Sequence, residues 1–252
     1  MPKFFIISDV HGFYDEMKFA LDEARFDPSN EDHWVVGLGD YVDRGRQPQQ
    51  VIDYLMSLPR KILCRGNHED LLLDMIDRGY ALSHDHSNGT FNTVLDLAPN
   101  ANTFDVGCVV AYDKIKDFID GMVDYVELKQ HILTHSWIPL INNDGLPAYY
   151  TRDRDFAFMP DWREASVKDF KDSRWGNPFA LAESGLNQTG KVIVFGHWAT
   201  EHKWAKDEGR LEFDENAKFE PYYGDGYIGI DATTAYSKKV NVLVIEDEFL
   251  EG

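Results

Sequence analysis

Three short apolar segments in the first third of the chain, each followed by an amphipathic stretch, constrain the fold most strongly. Apolar runs of this length predict strands, and apolar side chains at helical spacing predict helices. The predicted strands are residues 3–7, 34–38 and 62–64, and the predicted helices are residues 15–26, 49–58 and 69–79. This β-α-β-α-β-α order favours an α/β fold with a parallel or mostly parallel sheet.

The rest of the chain is less regular. A further helix is predicted at residues 113–126, and further strands at residues 131–134, 191–195, 227–230 and 240–245. Residues 80–110 carry loop-forming residues, and we interpret the run at 84–86 (His-Asp-His) as solvated loop. Residues 137–190 are rich in Pro, Asp, Trp and Arg, with weak periodicity. We interpret them as an insertion within a single domain that spans residues 1–252.

The charge and cysteine content restrict partners and location. The chain has 25 Lys and Arg against 44 Asp and Glu, a formal charge of −19. This acidity opposes binding to nucleic acid and to anionic membranes, so neither partner is expected. Two cysteines, Cys64 and Cys108, are too few for a disulfide framework and indicate a reducing compartment. No apolar run approaches a signal-peptide core or a span of ~18 residues, so we expect a cytoplasmic protein.

Residue types that bind metals follow each of the first three predicted strands. The segments are Asp9-Val-His11-Gly, Gly-Asp40-Tyr-Val-Asp43-Arg44-Gly and Arg65-Gly-Asn67-His68-Glu69, and His135 and His197 follow two later strands. Because strands of an open α/β sheet present their carboxyl ends to one crevice, we expect these side chains to converge. Asp, His and Asn without Cys suit Mn, Fe or Zn bound by oxygen and nitrogen. The number of donors fits two metal ions better than one.

Together these motifs resemble those of the calcineurin-like metallophosphoesterases. Within them, the chain is most similar to the phosphoprotein phosphatase family of serine/threonine phosphatases, which includes bacterial and phage members and related symmetrical diadenosine tetraphosphate hydrolases. The likeness extends from residue 4 to about residue 245, because the segment at 230–236 and the strand at 240–245 are similar to the family's closing strands. The resemblance implies an α/β fold with a core of two packed β-sheets, flanking helices and an irregular insertion.

The resemblance also implies a metal ligand set. Asp9 and His11 would hold a first divalent ion, and Asp40 would bridge the two ions. The ligands of the second ion would be Asn67, His135 and His197. Mn²⁺ is the first candidate for both positions, and Fe and Zn are open alternatives.

The same resemblance implies roles for neighbouring side chains. His68 would be the general acid that protonates the leaving oxygen, and Asp43 would hydrogen-bond the other side of its imidazole. Arg44 and Arg65 would bind phosphate oxygens. In the insertion, Arg174 is the candidate for a further phosphate contact. Arg152 and Arg154 are the alternatives to Arg174.

Three functions follow from these assignments. The first is hydrolysis of phosphomonoesters by a metal-bridging hydroxide, with phosphoserine and phosphothreonine proteins as the favoured substrates. The alternative is symmetrical hydrolysis of dinucleoside tetraphosphates, for which aromatic residues and arginines of the insertion could hold bases and extra phosphates. The third is a non-catalytic phosphate-binding scaffold, in which degenerate ligands are expected. All six implied ligands are present in this chain.

Overall fold

The computed structural model describes residues 1–143 and 156–250. In these ranges the strands are β1 (Lys3–Ile7), β2 (His33–Gly37), β3 (Lys61–Leu63), β4 (Tyr125–Glu127), β5 (His131–Thr134), β6 (Leu140–Asn142), β7 (Phe156–Phe158), β8 (Val192–Phe195), β9 (Tyr222–Gly224), β10 (Tyr227–Gly229) and β11 (Leu243–Glu246). The helices are α1 (Tyr14–Glu23), α2 (Pro48–Ser57), α3 (Asn67–Arg78), α4 (Ser83–Asn88), α5 (Thr90–Leu97), α6 (Phe104–Asp120), α7 (Val167–Ser173), α8 (Pro178–Glu183), α9 (Thr200–Glu208) and α10 (Thr234–Ser237). None of these helices is long and apolar enough to cross a membrane.

The strands form two mixed sheets and a hairpin. The first sheet has the order β11-β1-β2-β3, the second has the order β4-β5-β8-β10-β9, and β6 pairs with β7. Neighbours in the middle of each sheet are parallel, whereas β11, β4 and β9 pair antiparallel at the edges. The mostly parallel order predicted for the first third of the chain is therefore confirmed, with antiparallel strands added at the edges.

The two sheets pack face to face. Alternate residues of β1 point to opposite sides of its sheet. Phe4 and Ile6 enter a core shared with Val194 of the second sheet, while Phe5 and Ile7 enter a core under the helices. The outer face of the second sheet is covered by Trp137, Trp162, Phe170 and Phe179. Helices, two sheets and this last layer form the calcineurin-like α/β architecture that the resemblance implies.

The region between α3 and β4 differs from the sequence prediction. Residues 80–110 contain α4, α5 and the start of α6, and α6 ends at Asp120, short of the predicted 126. The start of α6 has valines on its exposed face as well as apolar residues on its buried face, which hides the helical period. Asp85 is buried in α4, where it accepts hydrogen bonds from the Leu82 N–H and from Arg78. The interpretation of residues 84–86 as loop was therefore wrong, whereas His84 and His86 are exposed to solvent as expected.

A buried ion pair in α9 gives a stability prediction. Glu201 is fully buried and accepts hydrogen bonds from Arg210 and from the N–H groups of Phe213 and Lys218. Burial opposes ionisation, but the Arg210 and backbone hydrogen bonds outweigh it and lower the pKa of Glu201 to about 2. This carboxylate stabilises the fold fully above its unfolded pKa and loses that contribution as pH falls toward about 2. We expect Glu201→Gln to lower the free energy of unfolding by about 3 kcal/mol at pH 7.

Urea denaturation of both proteins checks this prediction. The stabilising contribution of Glu201 becomes smaller as pH falls. The difference in free energy of unfolding between the wild type and Glu201→Gln should therefore be smaller at pH 3.5 than at pH 7, by roughly 1 kcal/mol. Glu215→Gln, at an exposed position, is the matched control and should change stability by less than about 0.5 kcal/mol. A Glu201→Gln gap that stays constant with pH would contradict the assignment.

Candidate metal centre

A cavity of about 200 Å³ lies at the carboxyl ends of the strands of both sheets. Its lining includes Asp9, His11, Asp40, Arg44, Asn67, His68, Trp175, His197 and Asp231. Four of the predicted ligands follow strands of the first sheet, and His135 and His197 follow β5 and β8 of the second. The predicted convergence of strand-end side chains is therefore found, and it occurs at the junction of the two sheets.

The backbone around this cavity adopts strained conformations. Six non-glycine residues of the site have left-handed φ angles between 50° and 71°: Asp9, His11, Asp40, Asp43, Arg44 and His197. Each such residue costs on the order of 1 kcal/mol, and strain of this kind concentrates where function requires it. Gly196 avoids the further problem of a Cβ, which would lie within 2.2 Å of the Asp9 carboxylate. The strained backbone conformations therefore occur in the loops that direct these side chains toward the cavity.

Asp40 is the centre of the site. One carboxylate oxygen, Oδ1, accepts a hydrogen bond from the backbone N–H of His68 and lies 3.5 Å from Nε2 of His135. The other, Oδ2, lies 3.7 Å from Nε2 of His11. Burial opposes ionisation of Asp40, but the surrounding imidazoles, His135 first, outweigh it and hold the pKa of this carboxyl well below its usual range. Asp40 therefore belongs to two groups of potential metal ligands at once, one with His11 and His68 and one with His135 and His197.

Two backbone carbonyls orient the histidines toward Asp40. Nδ1 of His11 lies 2.9 Å from the Val42 carbonyl, and Nδ1 of His135 lies 2.8 Å from the Leu38 carbonyl. A carbonyl only accepts, so each Nδ1 carries the proton and each Nε2 presents a lone pair to the cavity. This is the arrangement in which histidine binds metal ions, with its second nitrogen held by a hydrogen bond.

Asn67 and His197 both approach Nε2 of His135. Nε2 of His135 lies 2.8 Å from Oδ1 of Asn67 and 3.2 Å from Nδ1 of His197. Burial lowers the pKa of His135, and burial followed by the proximity of His135 lowers the pKa of His197 to about 3. Imidazole nitrogens and an amide oxygen that converge at these distances are groups of the kind that bind divalent metal ions in proteins. These residues fit a divalent metal ion.

Buried carboxylates strengthen this fit. Asp9 is buried and accepts hydrogen bonds through Oδ2 from the Ser8 hydroxyl and the His197 N–H. Burial, then the charges of Asp231 and Asp40, raises the pKa of Asp9 well above its ordinary value. Burial also raises the pKa of Asp231 to about 6. Asp9, Asp40 and Asp231 repel one another electrostatically when ionised at one cavity, and bound cations would relieve this repulsion.

His68 and Asp43 form a separate pair at the edge of the cavity. Nδ1 of His68 lies 2.7 Å from Oδ2 of Asp43. The Asp43 carboxylate also accepts hydrogen bonds from two hydroxyls, from Thr90 at Oδ2 and from Thr93 at Oδ1. Burial lowers the pKa of His68, but Asp40 and Asp43 outweigh it and raise the value above the ordinary one. Nε2 of His68 lies 3.5 Å from a guanidinium nitrogen of Arg44. The pair can hold a proton on an imidazole that borders the cavity.

Residues 2–201 match the model of the calcineurin-like phosphoesterase family, which is most of the chain. The chain belongs to this family.

Relatives of this calcineurin-like phosphoesterase include bacterial nucleotide hydrolases. The chain is 22% identical over 214 residues to the symmetrical bis(5'-nucleosyl)-tetraphosphatase of Pseudomonas fluorescens (strain SBW25), an alignment that covers 82% of this chain and 68% of that protein. It is 41% identical over 70 residues to the enzyme of the same name from Klebsiella pneumoniae (strain 342), covering 27% of this chain and 24% of the relative. The chain thus spans at most about two thirds of the length of these two relatives.

Among solved structures, a cold-active protein tyrosine phosphatase superposes with a TM-score of 0.58 at 18% identity. The superposition covers 98% of this phosphoesterase and 74% of that chain. At this identity the likeness supports the fold, and substrate preference has to be argued from the site and the closer sequence relatives.

The arginines predicted to bind phosphate in this phosphoesterase differ in their position relative to the cavity. Arg44 lines the cavity. Arg65 instead donates to the Ile119 carbonyl at 3.1 Å and lies 3.9 Å from Asp70. Arg174 is buried in ion pairs with Asp70 and Asp124, so neither Arg65 nor Arg174 is brought to the cavity. The phosphate contacts of Arg65 and Arg174 stay predictions; in this structure the Ile119 carbonyl and Asp70 hold Arg65, and Asp70 and Asp124 hold Arg174. Arg152 and Arg154 lie outside the described residues.

Several site residues had no role assigned from the sequence. Asp231 follows β10 and lines the cavity, so the strand-end pattern that identified Asp9 could also have identified it. The Glu69 carboxylate accepts hydrogen bonds from the N–H groups of Asp40, Tyr41 and Gly66 and so fixes the loop that carries Asp40. Thr90 and Thr93, which hold Asp43, lie in a helix that the sequence did not predict.

Proposed function

We propose that this calcineurin-like phosphoesterase is a metal-dependent hydrolase of dinucleoside polyphosphates that cleaves them symmetrically. The observation that carries the hydrolase assignment is the position of Asp40, which lies between His11 on one side and His135 and His197 on the other, next to the His68–Asp43 pair. The substrate class is supported by the named bacterial relative that aligns over 82% of the chain. This support moves our preference from phosphoserine and phosphothreonine proteins to the dinucleotide alternative.

The proposed metal ligands are those that the family resemblance implies, and the convergence of His11, His135 and His197 around Asp40 supports them. Asp9, His11 and Asp40 would hold one ion, and Asp40, Asn67, His135 and His197 would hold the other. When bound, two divalent ions supply an activated water and neutralise charge on the phosphate, with Mn²⁺ the first candidate and Fe or Zn open. The strained loops and the backbone partners of His11 and His135 keep these side chains in place before substrate arrives.

The remaining residues of the cavity act on the substrate. Arg44 lines the cavity and can bind phosphate oxygens by charge-assisted hydrogen bonds. His68 can give its Nε2 proton to the departing phosphate oxygen while Asp43 retains the proton on Nδ1. Water adds to one inner phosphorus, the bridging P–O bond breaks, and a dinucleoside tetraphosphate yields two nucleoside diphosphates. Trp175 borders the same cavity and can shield it from solvent.

A turnover panel tests this proposal. Diadenosine tetraphosphate, a phosphoserine peptide and p-nitrophenyl phosphate are each offered with Mn²⁺, with Mg²⁺ and with a chelator. We expect Mn²⁺-dependent turnover of the dinucleotide, with ADP as its sole nucleotide product, and loss of activity with the chelator. Support by Mg²⁺ alone would contradict a site rich in histidine.

Other outcomes of the panel select other functions. Turnover of the phosphopeptide with the dinucleotide left intact would overturn the proposal in favour of a protein phosphatase. Binding of Mn²⁺ without turnover of any compound would favour the non-catalytic phosphate-binding scaffold.

A further inference from the structure

A second groove, of about 410 Å³, lies beside the candidate metal centre between α8 and α9. Its walls include Phe179, Trp198, His202, Lys203 and Lys206. A groove of this size lies within the range that small organic ligands occupy in proteins. None of the roles assigned above uses it.

Trp198 joins this groove to the metal centre. It follows the predicted ligand His197 directly, and the centroids of their two rings are 6.0 Å apart. Its backbone N–H bonds to the Gly196 carbonyl at 2.7 Å, and the next turn is tied down where the Thr200 N–H bonds to the Asp231 carbonyl at 3.0 Å. Trp198 therefore has a defined position relative to the cavity, one residue away from the metal ligands.

The charged groups of the groove are already paired with one another. Lys206 lies 2.6 Å and Lys203 3.1 Å from the Glu183 carboxylate, and Lys203 also pairs with Asp207. Nδ1 of His202 lies 2.8 Å from a Glu212 oxygen. Because these ammonium groups have carboxylate partners, the groove is poorly suited to additional phosphate groups and better suited to an uncharged moiety.

The aromatic surface of the groove indicates what kind of uncharged group it fits. Trp198 and His202 lie with ring centroids 6.0 Å apart and planes inclined at 49°, and Phe179 contributes a third ring to the lining. Flat heteroaromatic bases stack on such side chains, and stacking is tolerant of base identity. A nucleoside attached to phosphates at the metal centre would meet this surface first.

We propose that the groove is a nucleoside subsite in which a base of the substrate stacks on Trp198 while the phosphate chain passes His197 into the metal cavity. This inference rests on the proposed dinucleotide function for its biological meaning. It assigns Trp198 as a specificity-determining residue and leaves hydrolysis itself to the metal centre.

Comparing ADP with pyrophosphate tests the subsite, because the two ligands share two phosphates and differ in the nucleoside. Their dissociation constants are measured by calorimetry on the Mn²⁺-loaded protein, and their inhibition constants against p-nitrophenyl phosphate where that compound is turned over. We expect Trp198→Ala to weaken ADP binding roughly tenfold and pyrophosphate binding less than twofold. Trp198→Phe, which retains an aromatic face, should recover most of the ADP affinity.

Trp204 in α9, six residues after Trp198, provides the control. Trp204 packs on Tyr222, donates to the Glu220 carbonyl and does not line the groove, so Trp204→Phe should change neither constant. Equal weakening of ADP and pyrophosphate by Trp198→Ala, or no change in either, would overturn the subsite. The subsite would also be overturned if Trp198→Ala weakened binding of a phosphopeptide with an aromatic side chain and left ADP binding unchanged, because a peptide side chain would then occupy the groove.

The outcome separates the subsite from the proposed function. If diadenosine tetraphosphate is not cleaved but the ADP difference depends on Trp198, the dinucleotide function fails and the nucleoside subsite stands. If the dinucleotide is cleaved and ADP binding is indifferent to Trp198, the function stands and the subsite fails.

Discussion

Asp40→Asn is expected to reduce hydrolysis of diadenosine tetraphosphate by at least about 10³-fold and to lower metal retention. The amide keeps an oxygen for the His68 N–H, which Asp40 holds at 3.0 Å, so the local fold should survive. It lacks the negative charge that the two donor groups share. We expect Mn²⁺ content after loading and desalting, measured by plasma mass spectrometry, to fall together with kcat.

An exposed aspartate gives the control for this substitution. Asp32→Asn removes one carboxylate outside the cavity and should keep both wild-type turnover and metal content. An Asp40→Asn protein that retained two equivalents of Mn²⁺ and the wild-type kcat would contradict the shared-carboxylate assignment.

His68→Asn is expected to lower kcat by ~10²- to 10⁴-fold while metal content stays unchanged. The variant loses the Nε2 proton donor of the imidazole that Asp43 holds through Nδ1, but it keeps the proposed ligands of both metal positions. The loss should depend on the leaving group. With phenyl phosphate, whose leaving oxygen is strongly basic, we expect a large effect; with p-nitrophenyl phosphate, whose leaving group needs little protonation, we expect a smaller one. Steady-state kinetics on the two esters measures this difference.

His84→Asn is the control for this second prediction, because His84 is half-exposed on α4 and does not line the cavity. It should leave both esters unaffected. A His68→Asn variant that lost the same factor on the two esters, or that lost its metal, would indicate that His68 serves as a ligand and not as the acid.

The six predicted metal ligands share one property: each lies within four residues of the end of a strand. The order of short strands and helices places Asp9, Asp40 and Asn67 at one edge of a sheet, and the topology confirms that edge. The same logic covers His135 and His197 in the second sheet. A strand end constrains position strongly, because the direction of the chain and the parallel order of the sheet decide where the next residue lies.

Residues outside strand ends could not be placed in this way. Arg174 lies 104 positions from Asp70 in sequence, and nothing in its local sequence indicates that a buried carboxylate holds it. Thr90 and Thr93 belong to α5, a helix of eight residues whose buried face combines these two threonines with Val94 and Leu97. In both cases the decisive contact is long-range, and such contacts depend on packing that residue types and spacing do not specify.

The position of the candidate centre at the junction of the two sheets affects more than chemistry. Asp9, His11 and Asp40 are anchored in the first sheet, and His135 and His197 in the second. The ion held by Asp40, Asn67, His135 and His197 would cross-link the two sheets much as a disulfide joins distant segments, and any ligand that binds only the folded state raises its stability. Removal of metal would then loosen the interface between the sheets as well as stop turnover, and heat resistance would depend on metal supply.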